Sequence, residues 1–131
     1  MHQEVELIGN LGRDPEMRYL ADGTPVTTLS IATNRKWDGG EETVWWRVTC
    51  WRKLAEVVAQ YLSKGRQVFI KGRMTPDKAT GGPKVFQKKD GTWGASYEVT
   101  ADRVIFLGAR GATVDFSEQA PEVEDDPFAA G

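Results

Sequence analysis

The sequence predicts an all-β domain: a small closed barrel with one short helix set midway along its strand order, followed by a disordered acidic tail. Three observations predict it. Apolar and polar residues alternate in several separate runs, the mark of strands with one buried face. One run, residues 54–62, changes to a helical period, with Leu54, Val57, Val58, Tyr61 and Leu62 on one face. After Gly108 the periodic pattern stops, and residues 121–126 have little apolar content.

The elements follow in order. In residues 4–11, Val5 and Leu7 alternate with Glu4 and Glu6, and Gly9 and Gly12 permit a bend. Asp14-Pro15 and Asp22-Gly23 are turn signals on either side of Met17-Arg18-Tyr19-Leu20. Residues 26–34 form a second long strand with Leu29 and Ile31 on its core face. Asp38-Gly39-Gly40 marks a hairpin tip, and residues 43–51 return as the third strand. The helix follows, with Lys64 suited to its negative end and Gly65 as its stop. Residues 67–74 and 97–107 are strands again. Between them, residues 75–96 are rich in Gly, Lys and turn pairs (Gly81-Gly82-Pro83, Asp90-Gly91) and predict a flexible hairpin carrying Phe86 and Trp93. No internal repeat is present. Three strands, a helix and two strands give the order of the five-stranded OB-fold barrel, whose helix lies between strands three and four. The chain divides into a domain over residues 1–108 and a tail over residues 109–131.

Composition narrows the function. The 131 residues are 40% hydrophobic and 27% charged, ordinary for one soluble domain with its own core. No apolar run approaches the roughly 18 residues of a membrane span, and Met1-His2-Gln3-Glu4 shows no secretory signal. One cysteine, Cys50, excludes an internal disulfide and fits a reducing cytoplasm. One Cys and one His exclude a Cys/His zinc site and leave no catalytic triad. Gly81-Gly82-Pro83-Lys84 lacks the spacing and the following helix of a phosphate loop, and reads as a hairpin tip. Asp14 and Glu16 belong to a turn motif rather than a metal site. The expectation is a binding protein, not an enzyme, with neither cofactor nor metal. The charge is unevenly placed. From residue 109 onward one base, Arg110, faces six acids; the preceding residues hold sixteen bases and thirteen acids. A mildly basic body with an acidic arm suits a partner rich in phosphate.

The most informative segment is the third strand. Alternation sends Val44, Trp46, Val48 and Cys50 to one face and Trp45, Arg47, Thr49 and Trp51 to the other. The first set reads as core. The second sets two large π-faces around a guanidinium, which makes a poor core and a good platform for stacking unpaired bases. The alternative for these rings is a strand buried on both faces.

At the level of motifs the chain resembles bacterial single-stranded DNA-binding proteins. The resemblance rests on Ile8-Gly9-Asn10-Leu11-Gly12-Arg13-Asp14-Pro15-Glu16 with Arg18-Tyr19, and on Ser30-Ile31-Ala32-Thr33-Asn34-Arg35-Lys36-Trp37. It continues in Lys53-Leu54-Ala55-Glu56-Val57 and Tyr61-Leu62-Ser63-Lys64-Gly65, so that it covers roughly residues 4–108. It implies an OB-fold, a homotetramer, binding of single-stranded DNA without sequence preference and no catalysis. It implies stacking roles for Trp37, Trp45 and Trp51 and phosphate contacts from Arg35, Arg47, Lys53 and Lys64. The family's acidic tip closed by Pro-Phe is matched by Asp125, Asp126, Pro127 and Phe128, implying docking of replication and repair proteins in the cytoplasm, at the nucleoid. An OB-fold accessory protein of the replication machinery with only weak DNA contact is the alternative. Three positions depart from the family pattern. Ala79 stands where a fourth stacking Trp is common, leaving Phe86 or Trp93 to take over in a register the sequence does not disclose. Trp46 stands where a His near a subunit contact is common. Ala129-Ala130-Gly131 follows Phe128, where the family presents its terminal carboxylate.

Overall fold

A computed structural model describes residues 1–107 and, as backbone, the strand residues 113–117. The chain runs β1 (Val5–Leu11), β2 (Glu16–Tyr19), β3 (Pro25–Trp37), β4 (Gly40–Trp51), α1 (Arg52–Tyr61), β5 (Gln67–Met74), β6 (Lys84–Gln87), β7 (Trp93–Leu107) and β8 (Thr113–Ser117). The sheet order is β1-β5-β7-β4-β3-β2, and a further pairing of β1 with β3 closes a five-stranded barrel from β1, β3, β4, β5 and β7. Closure rests on two residue pairs, Asn10↔Ala32 and Leu11↔Ile31. A Cβ on Gly9 would lie 2.3 Å from the Ala32 carbonyl oxygen, so only glycine lets β1 approach β3 this closely. The barrel is the OB-fold that the strand order predicts, with α1 between its third and fourth strands.

The core is built by alternation. Leu7, Leu29, Ile31, Val48, Cys50, Val68, Ile70, Val99, Val104 and Phe106 point inward from the strands. Leu54, Ala55, Val57 and Val58 of α1 complete it with Leu62 just beyond. Each buried aliphatic side chain removed from water stabilises the fold by about 1.5–3 kcal/mol. One buried hydroxyl fastens the helix to the barrel: Thr27 Oγ1 donates to the Ala55 carbonyl at 2.7 Å.

Several element boundaries differ from the sequence pattern. The helix starts at Arg52, two residues early, because β4 runs straight into it through a left-handed residue, Arg52 at φ 55°. No basic residue occupies its last turn. Lys64 lies past the C-cap Leu62, and its backbone N–H donates to Asp14 Oδ1 at 2.9 Å. Gly65 takes φ +91° there, and its N–H donates to the Leu11 carbonyl. The Gly-Arg-Asp-Pro and Ser-Lys-Gly motifs thus meet in space and tie β1 to the loop after the helix. The long hairpin is ordered by its own hydrogen bonds. Its tip is Asp90-Gly91, where Asp90 Oδ1 accepts from the Thr92 hydroxyl at 2.6 Å and the Thr92 N–H at 2.9 Å. Gly81-Gly82 is not a tip but a turn folded back on Asp77, ahead of β6. Strand β8 pairs antiparallel with β7 inside the stretch that composition assigns to the tail. Residues 108–112 and 118–131 lie outside the described residues, and with them Asp125, Asp126, Pro127 and Phe128. No helix among the described residues is long and apolar enough to cross a membrane.

Candidate nucleic-acid interface

Strands β3 and β4 pair without interruption from Val26↔Trp51 to Trp37↔Gly40, so strict alternation assigns every side chain of this ribbon to a face. Trp45, Arg47, Thr49 and Trp51 share the outer face. Opposite them on β3 stand Ala32, Ser30, Thr28 and Val26, which are small or buried. Large rings and a guanidinium therefore rise from a low floor. Trp45 is 56% exposed, Arg47 is exposed and Trp51 is half-buried. Arg47 has no ion pair among the described residues, which leaves its five N–H donors to solvent or ligand. The neighbouring strand β2 adds Arg18 to the same face, opposite Val26 and with its guanidinium 3.5 Å from the Thr28 hydroxyl. Arg18 stands out only once the β2–β3 register is known. Lys53, on the first turn of α1, is exposed at the end of this face, and exposed Lys64 sits in the loop held by Asp14.

Trp46 goes the other way. It is half-buried against the core, its Nε1 donates to Thr33 Oγ1 at 3.0 Å, and its ring meets Tyr97 at 5.2 Å between centroids. Parity in the sequence placed it there.

Trp37 does not join Trp45 and Trp51. It lies an even number of residues from Leu29 and Ile31, so it continues their face where the β3–β4 hairpin runs past the barrel. It is 48% exposed there, with the Arg35 guanidinium 5.5 Å from its ring. Arg35 is 3.9 Å from Glu42, an exposed pair worth about 0–1 kcal/mol.

The long hairpin settles which face each of its aromatic residues takes. Glu98 of β7 is level with Arg47 of β4, and Tyr97 with Trp46. Continuing outward, Ser96 and Gly94 stay on the Arg47 face, and Gly94 pairs directly with Phe86. Phe86 and Lys84 therefore extend the outer face. Trp93, 68% exposed, falls with Tyr97 and Val85 on the Trp46 face.

A closed OB barrel that lifts aromatic rings and cations from one outer sheet face defines the class of OB-fold binding modules. Within that class the relationship is specific. The family model of the single-strand binding protein family matches residues 2–107. A "Single-stranded DNA-binding protein" of Neisseria meningitidis is 40% identical over 112 residues, covering 82% of this chain and 60% of that protein. The "Single-stranded DNA-binding protein 1" of Xylella fastidiosa is 37% identical over 113 residues, covering 82% of this chain and 78% of its own length. The chain belongs to the single-strand binding protein family. It spans about three fifths of the length of the Neisseria relatives it matches.

Proposed function

We propose that the chain binds single-stranded DNA without regard to sequence, through the outer face of β3, β4 and the β6–β7 hairpin. The observation that carries this reading is the joint presentation of Trp45 and Trp51 around an unpaired Arg47 on a floor of small residues. Every base has a π-face, so stacking there is indifferent to sequence, and the bases must be unpaired to reach it. Arg18, Arg47, Lys53, Lys64 and Lys84 neutralise phosphates and release counterions, which makes binding weaken with salt. Trp37 and Arg35 act from the hairpin's other face, where a strand wrapping the tip would meet them. Phe86 takes the stacking position vacated at Ala79, and Trp93 does not. The role is coating and protection of unpaired DNA during replication, recombination and repair, in the cytoplasm, without catalysis or cofactor. Residues 1–108 form the binding and assembly domain. Asp125, Asp126, Pro127 and Phe128 of the acidic tail dock replication and repair proteins.

The chain acts as a homotetramer in this reading. Among the described residues, residues 5–9 of β1 pair only with β5, leaving one edge of that strand for a second copy. The exposed Trp93, Tyr97 and Val85 beside Trp46 give a further apolar surface for subunit contact.

Titration of intrinsic tryptophan fluorescence with oligo-dT, a mixed-sequence oligonucleotide and a duplex is the test. Strong quenching by both single strands and none by the duplex is the expected result. Weak, unsaturable quenching by single strands would favour an accessory OB-fold protein instead.

A further inference from the structure

Two exposed aromatic rings of the outer face rest on glycines. A Cβ on Gly12 would lie 2.4 Å from Cζ3 and 2.7 Å from Cη2 of Trp45, in its six-membered ring. A Cβ on Gly94 would lie 3.1 Å from Cζ and 3.3 Å from Cε2 of Phe86, and 2.9 Å from the flexible Lys88 Cε. Neither glycine takes a positive φ, so neither is required by backbone conformation. Gly9 and Gly72 differ: their Cβ positions collide with backbone carbonyls, Ala32 O at 2.3 Å and Thr100 O at 2.2 Å, so Gly9 serves the β1–β3 closure and Gly72 the close β5–β7 approach at its bulge. At Gly12 and Gly94 the space is taken by a ring.

We infer that Gly12 is a positioning residue for ligand stacking: it seats the Trp45 indole so that the ring stands ready for a base, and Gly94 does the same, less tightly, for Phe86. The inference rests on the stacking reading above. The Gly12 seat cannot move away. Its N–H donates to the Ser30 carbonyl at 2.9 Å, and Trp45 is fixed opposite Ala32 in the same ladder. A methyl group at residue 12 must therefore be relieved by rotation of the indole, which forfeits the stacking geometry. At Gly94 the hairpin is exposed and the contact looser, so a methyl group displaces Phe86 by only a few tenths of an ångström.

The test is oligo-dT affinity measured by anisotropy of a labelled oligonucleotide, which does not depend on tryptophan emission. Gly12→Ala should weaken binding about tenfold, comparable to losing one stacked base, with an unchanged melting temperature. In a Trp45→Phe background the same substitution should cost less than about twofold, because phenylalanine lacks the outer ring atoms that collide. An equal loss in both backgrounds, or no loss in the parent, overturns the seat. If Trp45→Ala itself leaves affinity unchanged, the stacking reading fails first and the seat with it. Should Gly12→Ala not fold, Gly94→Ala remains decisive, since its hairpin lies outside the barrel. A loss of about two- to threefold that disappears with Phe86→Leu supports the seat. Unchanged or tighter binding overturns it, because an aromatic ring covering a glycine only for sheet stability predicts that outcome.

Discussion

Trp45 and Trp46 are neighbours of identical chemistry on opposite faces, and the pleat alone separates them. Trp45 stands out beside Arg47; Trp46 turns in, its N–H satisfied by Thr33 and its ring against Tyr97. Trp45→Ala and Trp51→Ala should each weaken single-strand binding by about 1–3 kcal/mol and leave the melt nearly unchanged. Trp46→Ala should lower stability by about 3 kcal/mol, at the low end for a large aromatic because this ring is only half-buried. Paired thermal melts and anisotropy titrations of the three variants check both statements; lost affinity with an unchanged melt for Trp46→Ala would invert the face assignment. This much was legible in the sequence, because nine residues of alternation suffice to sort one strand. Trp37 was not sorted. Its spacing from Leu29 and Ile31 already carried the parity, but a single bulge would have reversed it, and only the unbroken register excludes one.

At the scale of elements the same limit recurs in the long hairpin. The sequence offered two turns, Gly81-Gly82-Pro83 and Asp90-Gly91, and the choice of tip fixes which residue of β7 stands opposite Phe86. Asp90 decides it. Bonds from the Thr92 hydroxyl and then the Thr92 N–H hold its carboxyl below the ordinary carboxylate range. A depressed pKa gives stabilisation that is present above the unfolded value and lost as pH falls through the folded one, so these bonds contribute in full at neutral pH. With that register, Phe86→Ala should reduce affinity by about 1–3 kcal/mol, whereas Trp93→Ala should leave affinity for short oligonucleotides intact. Equal effects in an anisotropy titration would mean that the hairpin twists enough to present both rings. The helix was readable because its period is unlike its surroundings; its early start was not, since Arg52 takes a left-handed conformation that no propensity announces.

For the whole molecule, assembly and charge are what the barrel leaves to be decided. An OB barrel closed by two residue pairs leaves residues 5–9 with an edge unpaired among the described residues. Light scattering should return the mass of four chains at micromolar concentration; a stable monomer would remove the assembly proposal, and a stable dimer would mean that only one of two interfaces exists. Net charge acts over a longer range than either interface. The body through Gly108 is basic by three charges, and the residues after it are acidic by five, so a polyanion is tethered to a body proposed to bind phosphate. On the proposed function it should compete weakly with DNA, and only where the field reaches. The Debye length is about 30 Å at 0.01 M salt and about 10 Å at 0.1 M. Removing residues 120–131 takes away Glu122, Glu124, Asp125 and Asp126, and the core of the described residues is built without them. The melting temperature should therefore hold. Affinity for oligo-dT should rise at low salt and converge with the full chain as salt increases, because screening removes the competitor's advantage along with the DNA's own. Plots of log affinity against log salt for the two chains should start apart and meet. Lines that stay parallel across the whole range would show that the tail blocks the surface by occupying it rather than by its charge.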